Sequence, residues 1–81
     1  MSGPKRILIV DDEQDIRTYL STLLEDQGYE TVQAKDGEEA VQKLQAGLPD
    51  LITLDISMPE KSGIKFFREM KTDDRWKHIP I

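Results

Sequence analysis

Three short runs of strand-forming residues, separated by helix-like segments, constrain the fold of this chain more than any other feature. The runs are Ile7–Val10, Tyr29–Ala34 and Leu51–Leu54. The first is continuously apolar and the third nearly so, which is typical of strands covered on both faces in a parallel sheet. Alternating strands and helices favour such a sheet, with helices on its faces and right-handed crossovers. The sequence therefore predicts an α/β fold.

The segments between the runs have the periodicity and the end signals of helices. Apolar residues of the first helix recur at i, i+3, i+4, i+7 and i+8 and are Ile16, Tyr19, Leu20, Leu23 and Leu24. Gly28 is the expected stop signal of this helix, and Asp36 with Glu39 predicts a capping box for the second. The apolar stripe of the third helix is Ile64, Phe67 and Met70, with Phe66 beside it. Periodicity assigns Tyr19, Phe67 and Met70 to the core.

The composition excludes several classes of protein. The chain has 81 residues, 37% of them hydrophobic and 33% charged, which allows one small domain and no multidomain enzyme. It has no cysteine, so a disulfide scaffold, a thiolate zinc site and a cysteine nucleophile are excluded. A net charge of −5 is the wrong sign for direct contact with nucleic acid. No run approaches the about 20 apolar residues of a membrane span, so we expect no membrane contact and a cytoplasmic location.

Carboxylates follow two of the three predicted strands. Asp11 and Asp12 come directly after the first strand, and Asp55 comes directly after the third. Ligands of open parallel sheets gather beyond the carboxyl ends of the strands, and neighbouring strands lie about 4.8 Å apart. If the first strand lies beside the third, the three acids share one pocket and repel one another unless a cation lies among them. Alone, Asp12 is more simply a helix cap and Asp55 a solvated loop residue; together they favour an oxygen-ligand Mg²⁺ site.

The acidic residues belong to a longer series of motifs. Ile7–Glu13, Asp36–Ala40 and Leu54–Pro59, with Gly63 four residues later, occur in an order and at separations that resemble the receiver domain of two-component response regulators. A lone Asp-Asp pair is a weak signal, whereas this set together is specific. The resemblance implies a flavodoxin-like, doubly wound parallel sheet.

The resemblance also implies an activity. The chain would accept a phosphoryl group from the phosphohistidine of a sensor histidine kinase or of a phosphotransfer protein, in a Mg²⁺-dependent relay in which Mn²⁺ could substitute. By the matching positions, Asp55 would be the phosphoacceptor, Asp12 would bind the metal directly and Asp11 would support it through water. Ser57 would add its backbone carbonyl as a ligand. Such a domain assists its own phosphorylation and dephosphorylation and is not an enzyme acting on a separate substrate.

The sequence departs from the family pattern in its extent. The family fold has five βα units, whereas this chain holds three and, at Ile79 and Ile81, what resembles the first residues of a fourth strand. We therefore expect residues 1–5 to be a disordered arm and residues 6–81 to be a receiver domain, truncated after three βα units and incomplete at its C-terminus. The family's hydroxyl residue after the fourth strand and its lysine after the fifth have no counterpart in this sequence.

Two further readings follow from these departures. A receiver-like protein-binding module without phosphotransfer is the alternative function; a metal-dependent phosphatase is weaker, because Ser57 stands where a second aspartate would be needed. Exposed strand edges and apolar stripes recruit other chains, so we expect the chain alone either to self-associate through the first helix and the edge of the third strand or to melt well below a full-length version. Outside the motifs, Trp76 is expected to anchor the loop before the fourth strand, and His78 to be a solvated loop residue.

Overall fold

The described residues, 3–55 and 62–81 of this computed structural model, form three parallel strands and three helices that alternate along the chain. The elements are β1 (Arg6–Val10), α1 (Gln14–Asp26), β2 (Glu30–Ala34), α2 (Gly37–Ala46), β3 (Leu51–Leu54) and α3 (Ser62–Thr72). The strand order is β2-β1-β3, with both pairs parallel. This confirms the predicted α/β sheet, and β1 and β3 are neighbours, which is the condition under which the three acids were expected to share a pocket. Within the described ranges, no helix has the length and apolar character needed to cross a bilayer.

One face of the sheet, covered by α2 and α3, carries the main core. The register pairs Leu8 with Ile52 and Val10 with Leu54, so these residues share that face. The buried cluster on it consists of Leu8, Val10, Ala34, Ala40, Leu44, Ile52, Phe66, Met70, Trp76 and Ile79. The assignment of Met70 to the core is confirmed. Both helices contribute large buried side chains, so this face is the main apolar contact of the fold.

The other face lies beneath α1 and is joined to it by polar contacts. Gln33 Nε2 donates to Ser21 Oγ at 3.2 Å, and Thr31 Oγ1 donates to Glu25 Oε2 at 2.5 Å. Gln33 is paired in register with Ile9, which is fully buried, so the two residues share the face beneath α1. Among the residues of α1, Ser21 is the one that is buried. The helix therefore covers this face without inserting a large apolar side chain completely.

Two residues assigned to the core by periodicity are instead exposed. Tyr19 on α1 is 65% exposed and Phe67 on α3 is 41% exposed, so both assignments are wrong. On α3 the buried positions are Gly63, Phe66 and Met70, a stripe rotated by one residue from the one predicted. Gly63 has no side chain beyond Cα, and the helix face that contains it packs inward with Phe66. On α1 the apolar stripe is wider than the part of the sheet it covers, which leaves Tyr19 at its outer margin.

The end of α1 has the geometry expected of a glycine stop signal. Gly28 adopts φ +92°, a conformation that favours glycine because it lacks Cβ. Its N–H donates to the Glu25 carbonyl at 3.0 Å, and the N–H of Tyr29 donates to the Leu24 carbonyl at 3.1 Å. These two bonds make a Schellman motif, which confirms the predicted helix end.

The N-termini of α1 and α2 differ in how they are capped. At α2, Asp36 Oδ1 accepts from the Glu39 N–H at 2.8 Å, and Glu39 Oε1 accepts from the Lys35 N–H at 3.0 Å. The capping box is therefore confirmed, with its return bond one residue earlier than usual. At α1 the N-cap residue is Glu13, whose side chain makes no capping hydrogen bond. The start of α1 must be held by other contacts.

The residues after α3 fold back onto the face of the sheet that α2 and α3 cover, which we call the packed face. Trp76 and Ile79 are both buried in the core, which confirms Trp76 as an anchor. Residues 79–81 do not form a strand, but the Pro80 carbonyl accepts from the Ile52 N–H at 2.9 Å. Lys71 Nζ donates to the Ile79 carbonyl at 3.3 Å. The segment therefore runs along the outer edge of β3, where a fourth strand was expected to begin.

Candidate metal centre

The hydrogen-bond ladder of the sheet extends to the acidic residues at its carboxyl-end edge. Val10 and Leu54 are partners in the register of β1 and β3, and the next residues are Asp11 and Asp55. The Asp55 N–H donates to the Val10 carbonyl at 3.0 Å, and the Asp11 N–H donates to the Ala34 carbonyl at 3.1 Å. Both carboxylates are therefore attached to backbone that the sheet still holds, not to free loops.

The three predicted acidic residues come together in space. Asp11, Asp12 and Asp55 each offer one carboxylate oxygen, and these oxygens all lie within 4.8 Å of one another. Asp11 and Asp55 are half-buried, and Asp12 is exposed. Three negative charges thus share a small space that is open to water on one side. Mutual repulsion among them favours binding of a positive charge at this edge of the sheet.

The chemistry of the donors fits a hard divalent cation. The ligands offered are carboxylate oxygens, which suit Mg²⁺, Ca²⁺ and Mn²⁺ better than softer metals. Mg²⁺ is commonly held by one or two carboxylates and keeps several waters, and the exposure of Asp12 leaves room for such waters. The side chains present at this edge are therefore sufficient for a Mg²⁺ site without histidine or cysteine.

Asp11 is fixed at three points, one of which the sequence did not reveal. Besides its own N–H, its Oδ1 accepts from the Glu13 N–H at 2.9 Å. Its backbone carbonyl accepts from Arg17 Nη1 at 2.7 Å, in a partly buried contact across six residues. Arg17 was not predicted to belong to the site, because a charged residue outside the apolar stripe of a helix gives no sequence signal for such a bond.

The remaining sequence predictions about this region have mixed outcomes. Asp12 does not cap α1, because Glu13 occupies that position. This removes the simplest structural explanation of Asp12. Ser57 lies outside the described residues, so the role of its backbone carbonyl as a metal ligand stays a prediction. His78 is exposed, as expected of a solvated residue.

Comparison with protein families gives a match over nearly the whole chain. The model of the response regulator receiver domain matches residues 7–81. The chain is 38% identical over 78 residues to the polar-differentiation response regulator DivK of Brucella anthropi, an alignment that covers 96% of this chain and 63% of DivK. It is 40% identical over 77 residues to the phosphate regulon transcriptional regulatory protein PhoB of Escherichia coli, covering 95% of this chain and 34% of PhoB. The chain thus spans less than two thirds of either relative.

Solved structures agree with this match. The chemotaxis response regulator CheY4 of Vibrio cholerae superposes with a TM-score of 0.88 at 37% identity, covering 96% of this chain and 65% of that one. The response regulator TrrA of Thermotoga maritima, solved with Mg²⁺ and BeF, has a TM-score of 0.79 at 45% identity, covering 88% and 62%. TrrA has also been solved in complex with the histidine kinase ThkA, with a TM-score of 0.78 at 45% identity, covering 88% and 61%. The chain belongs to the response regulator receiver domain family of two-component systems.

Proposed function

We propose that this chain is a phosphoacceptor domain in which Asp55 takes a phosphoryl group from the phosphohistidine of a histidine kinase or a phosphotransfer protein. Asp11, Asp12, Asp55 and the backbone carbonyl of Ser57 would hold the Mg²⁺ ion. The observation that carries the proposal is the convergence of three carboxylate oxygens within 4.8 Å at one edge of the sheet. The TrrA complexes, one with Mg²⁺ and BeF and one with a histidine kinase, support the choice of metal and of partner.

The three acidic residues would have different roles because their surroundings differ. Asp12 is exposed and so suits direct coordination of a largely hydrated ion. Asp11 already uses Oδ1 to accept from the Glu13 N–H, which suits a supporting role through water. Asp55 is half-buried at the end of β3, with its backbone held by β1. When bound, Mg²⁺ would offset the negative charge of the phosphoryl oxygens and of the carboxylates around them.

The transfer itself requires little from the protein beyond positioning and charge. A carboxylate oxygen of Asp55 forms a bond to phosphorus, and the phosphorus–nitrogen bond of the phosphohistidine breaks. The electron pair of that bond stays on the imidazole nitrogen. This nitrogen then takes up a proton from water, so the ring becomes neutral imidazole. Asp55 becomes an acyl phosphate. No base is needed because the attacking carboxylate is already ionised, so holding Asp55 in line is the main task of β3.

The alternative, a binding module without phosphotransfer, is not favoured. It would assign no role to three converging carboxylates, which repel one another and so lower the stability of the fold unless a cation is bound. It also gives no reason for Asp12 to lie in the turn without capping α1. A phosphoacceptor uses both features.

The proposal is tested by phosphorylation with a small acyl phosphate and Mg²⁺, followed by intact-mass analysis. We expect the chain to gain one phosphate, and we expect a metal chelator to prevent this. The Asp55→Asn variant should gain none. Asp26→Asn, the same substitution at an exposed position at the end of α1, is the matched control and should be modified like the unaltered chain. A phosphate retained in Asp55→Asn, or an unmodified wild-type chain, would show that the proposal is wrong.

A further inference from the structure

The contact between Arg17 and Asp11 lies at the turn that carries two of the acidic residues. Arg17 Nη1 donates to the Asp11 carbonyl at 2.7 Å, the short end of the range for such bonds. Arg17 is half-buried on the first turns of α1, and its backbone N–H donates to the Glu13 carbonyl at 3.1 Å. The side chain therefore reaches back over the start of its own helix to the end of β1.

This bond fixes a particular peptide group. The Asp11 carbonyl belongs to the peptide that joins Asp11 to Asp12, and that peptide is planar. Holding its oxygen restricts rotation of the whole plane and, with it, the position of the Asp12 Cα from which the side chain extends. On the other side of the turn, Asp11 Oδ1 accepts from the Glu13 N–H. Asp12 is thus flanked by two hydrogen bonds, neither of which uses its own carboxylate.

The comparison with α2 indicates why the turn needs this bond. The start of α2 is held by a side-chain cap, Asp36 Oδ1 to the Glu39 N–H. At α1, Glu13 provides no such cap. A side-chain cap made by Asp12 would occupy its carboxylate. Because Arg17 bonds to a backbone oxygen, the turn is held while the carboxylate of Asp12 stays available.

We propose that Arg17 is a positioning residue of the metal site. Its guanidinium orients the Asp11–Asp12 peptide so that the Asp12 carboxylate remains beside those of Asp11 and Asp55, and this raises the affinity for Mg²⁺. The inference rests on the proposed metal site and adds a residue to it that acts through the backbone. Arg17 touches neither the metal nor the phosphoryl group in this role.

The charge of Arg17 and its hydrogen bond have opposite effects on metal binding. A cation near three carboxylates repels a second cation, so loss of the charge alone should strengthen Mg²⁺ binding. Loss of the hydrogen bond should weaken it, because a turn that is free to rotate must be ordered when the metal binds. The sign of the change therefore separates a positioning role from a purely electrostatic one.

The experiment is a Mg²⁺ titration followed by the amide NMR signals of Asp11, Asp12 and Asp55. The variants are Arg17→Gln, Arg17→Lys and Arg68→Gln, the last being a matched loss of charge at an exposed position on α3. We expect Arg17→Gln to raise the dissociation constant for Mg²⁺ by about tenfold. Arg17→Lys keeps the charge and a hydrogen-bond donor group at the end of a shorter side chain, and should recover part of this loss. Arg68→Gln should match the wild-type chain.

Each result has a defined meaning. Unchanged or tighter binding in a folded Arg17→Gln variant, or Arg17→Lys as weak as Arg17→Gln, would overturn the positioning role. Should Arg17→Gln unfold, Arg17→Lys decides: its binding must be weaker than that of the wild-type chain, and equal binding would contradict the inference. Asp12→Asn distinguishes a failure of the proposed metal site from a failure of the positioning role of Arg17. If it binds Mg²⁺ as well as the wild-type chain does, the metal site itself is wrong and Arg17 has nothing to position.

Discussion

The two faces of the sheet differ in how they are held. On the face under α2 and α3, Phe66, Met70 and Leu44 are fully buried in one cluster with apolar side chains of the sheet. On the face under α1, the helix buries Ser21 and links it to Gln33, whereas Leu23 remains 47% exposed. Apolar burial contributes more to the free energy of folding than a polar link such as that between Ser21 and Gln33, at about 25 cal/mol per Å² of apolar surface. The packed face should therefore supply the larger part of the stability, and the α1 face contributes mainly through the buried Ile7 and Ile9 of β1.

The difference also indicates where change can be tolerated. The acidic residues lie on neither face but at the carboxyl-end edge, where the central strand β1 and its neighbour β3 end. The packed face holds these strands in register, and the start of α1 carries Arg17 to the same edge. Stability and the proposed chemistry thus depend on different sets of residues. Substitutions can be chosen that alter one without the other.

The largest expected effect on stability is the difference between alanine substitutions at two adjacent phenylalanines on α3. Phe66 is 1% exposed and Phe67 is 41% exposed. Removing a fully buried aromatic ring costs about 3–5 kcal/mol, roughly the whole stability available to a core of this size. We expect Phe66→Ala to unfold the chain, and Phe67→Ala to change the free energy of unfolding by less than about 1 kcal/mol. Urea unfolding followed by circular dichroism measures both, and similar losses would contradict the assignment of Phe66 to the core and of Phe67 to the surface.

Most of the secondary structure was predictable because its signals are local. Gly28 ends α1 through its own φ angle, and Asp36 caps α2 through an amide three residues away. The positions of Asp11 and Asp55 followed from strand ends, once β1 and β3 were taken as neighbours. These features depend on short stretches of chain or on a general property of parallel sheets.

The features that were missed depend on tertiary packing. Periodicity gives the spacing of an apolar stripe but not its rotational position, so the adjacent Phe66 and Phe67 could not be told apart, and Phe67 was wrongly placed in the core. Tyr19 was misplaced because the sequence does not say how wide a strip of sheet α1 covers. Arg17 was missed because its partner is a backbone carbonyl, and such a partner leaves no pattern in side chains.

A moderate effect is expected at the two helix starts. Asp36→Ala removes the side-chain cap of α2 and should lower the free energy of unfolding by about 1 kcal/mol. Glu13→Ala removes a side chain that makes no capping bond at α1 and keeps the backbone bonds of this residue, so its effect on stability should be close to zero. Thermal unfolding of the two variants provides the comparison. An equal loss in both would show that the Glu13 side chain also holds the start of its helix.

The smallest effect on stability is expected on the outer surface of α1. Leu23→Gln removes an exposed apolar side chain, and such changes shift the free energy of unfolding by about 0.5 kcal/mol or less. Self-association through this helix, expected from the sequence, stays a prediction, and the same variant tests it by sedimentation velocity. We expect weaker association than in the wild-type chain. Unchanged association would exclude this surface as the contact.

The most direct test of the acidic edge as the site of chemistry is the location of a bound paramagnetic ion. Small amounts of Mn²⁺ should broaden the amide NMR signals of Asp11, Asp12 and Asp55 first. The signals of Glu30 and Asp50, which are exposed acidic residues at the amino ends of β2 and β3, should stay sharp. Asp12→Asn should remove the selective broadening. Equal broadening at Asp50, or selective broadening that survives in Asp12→Asn, would contradict a metal site built from these three carboxylates.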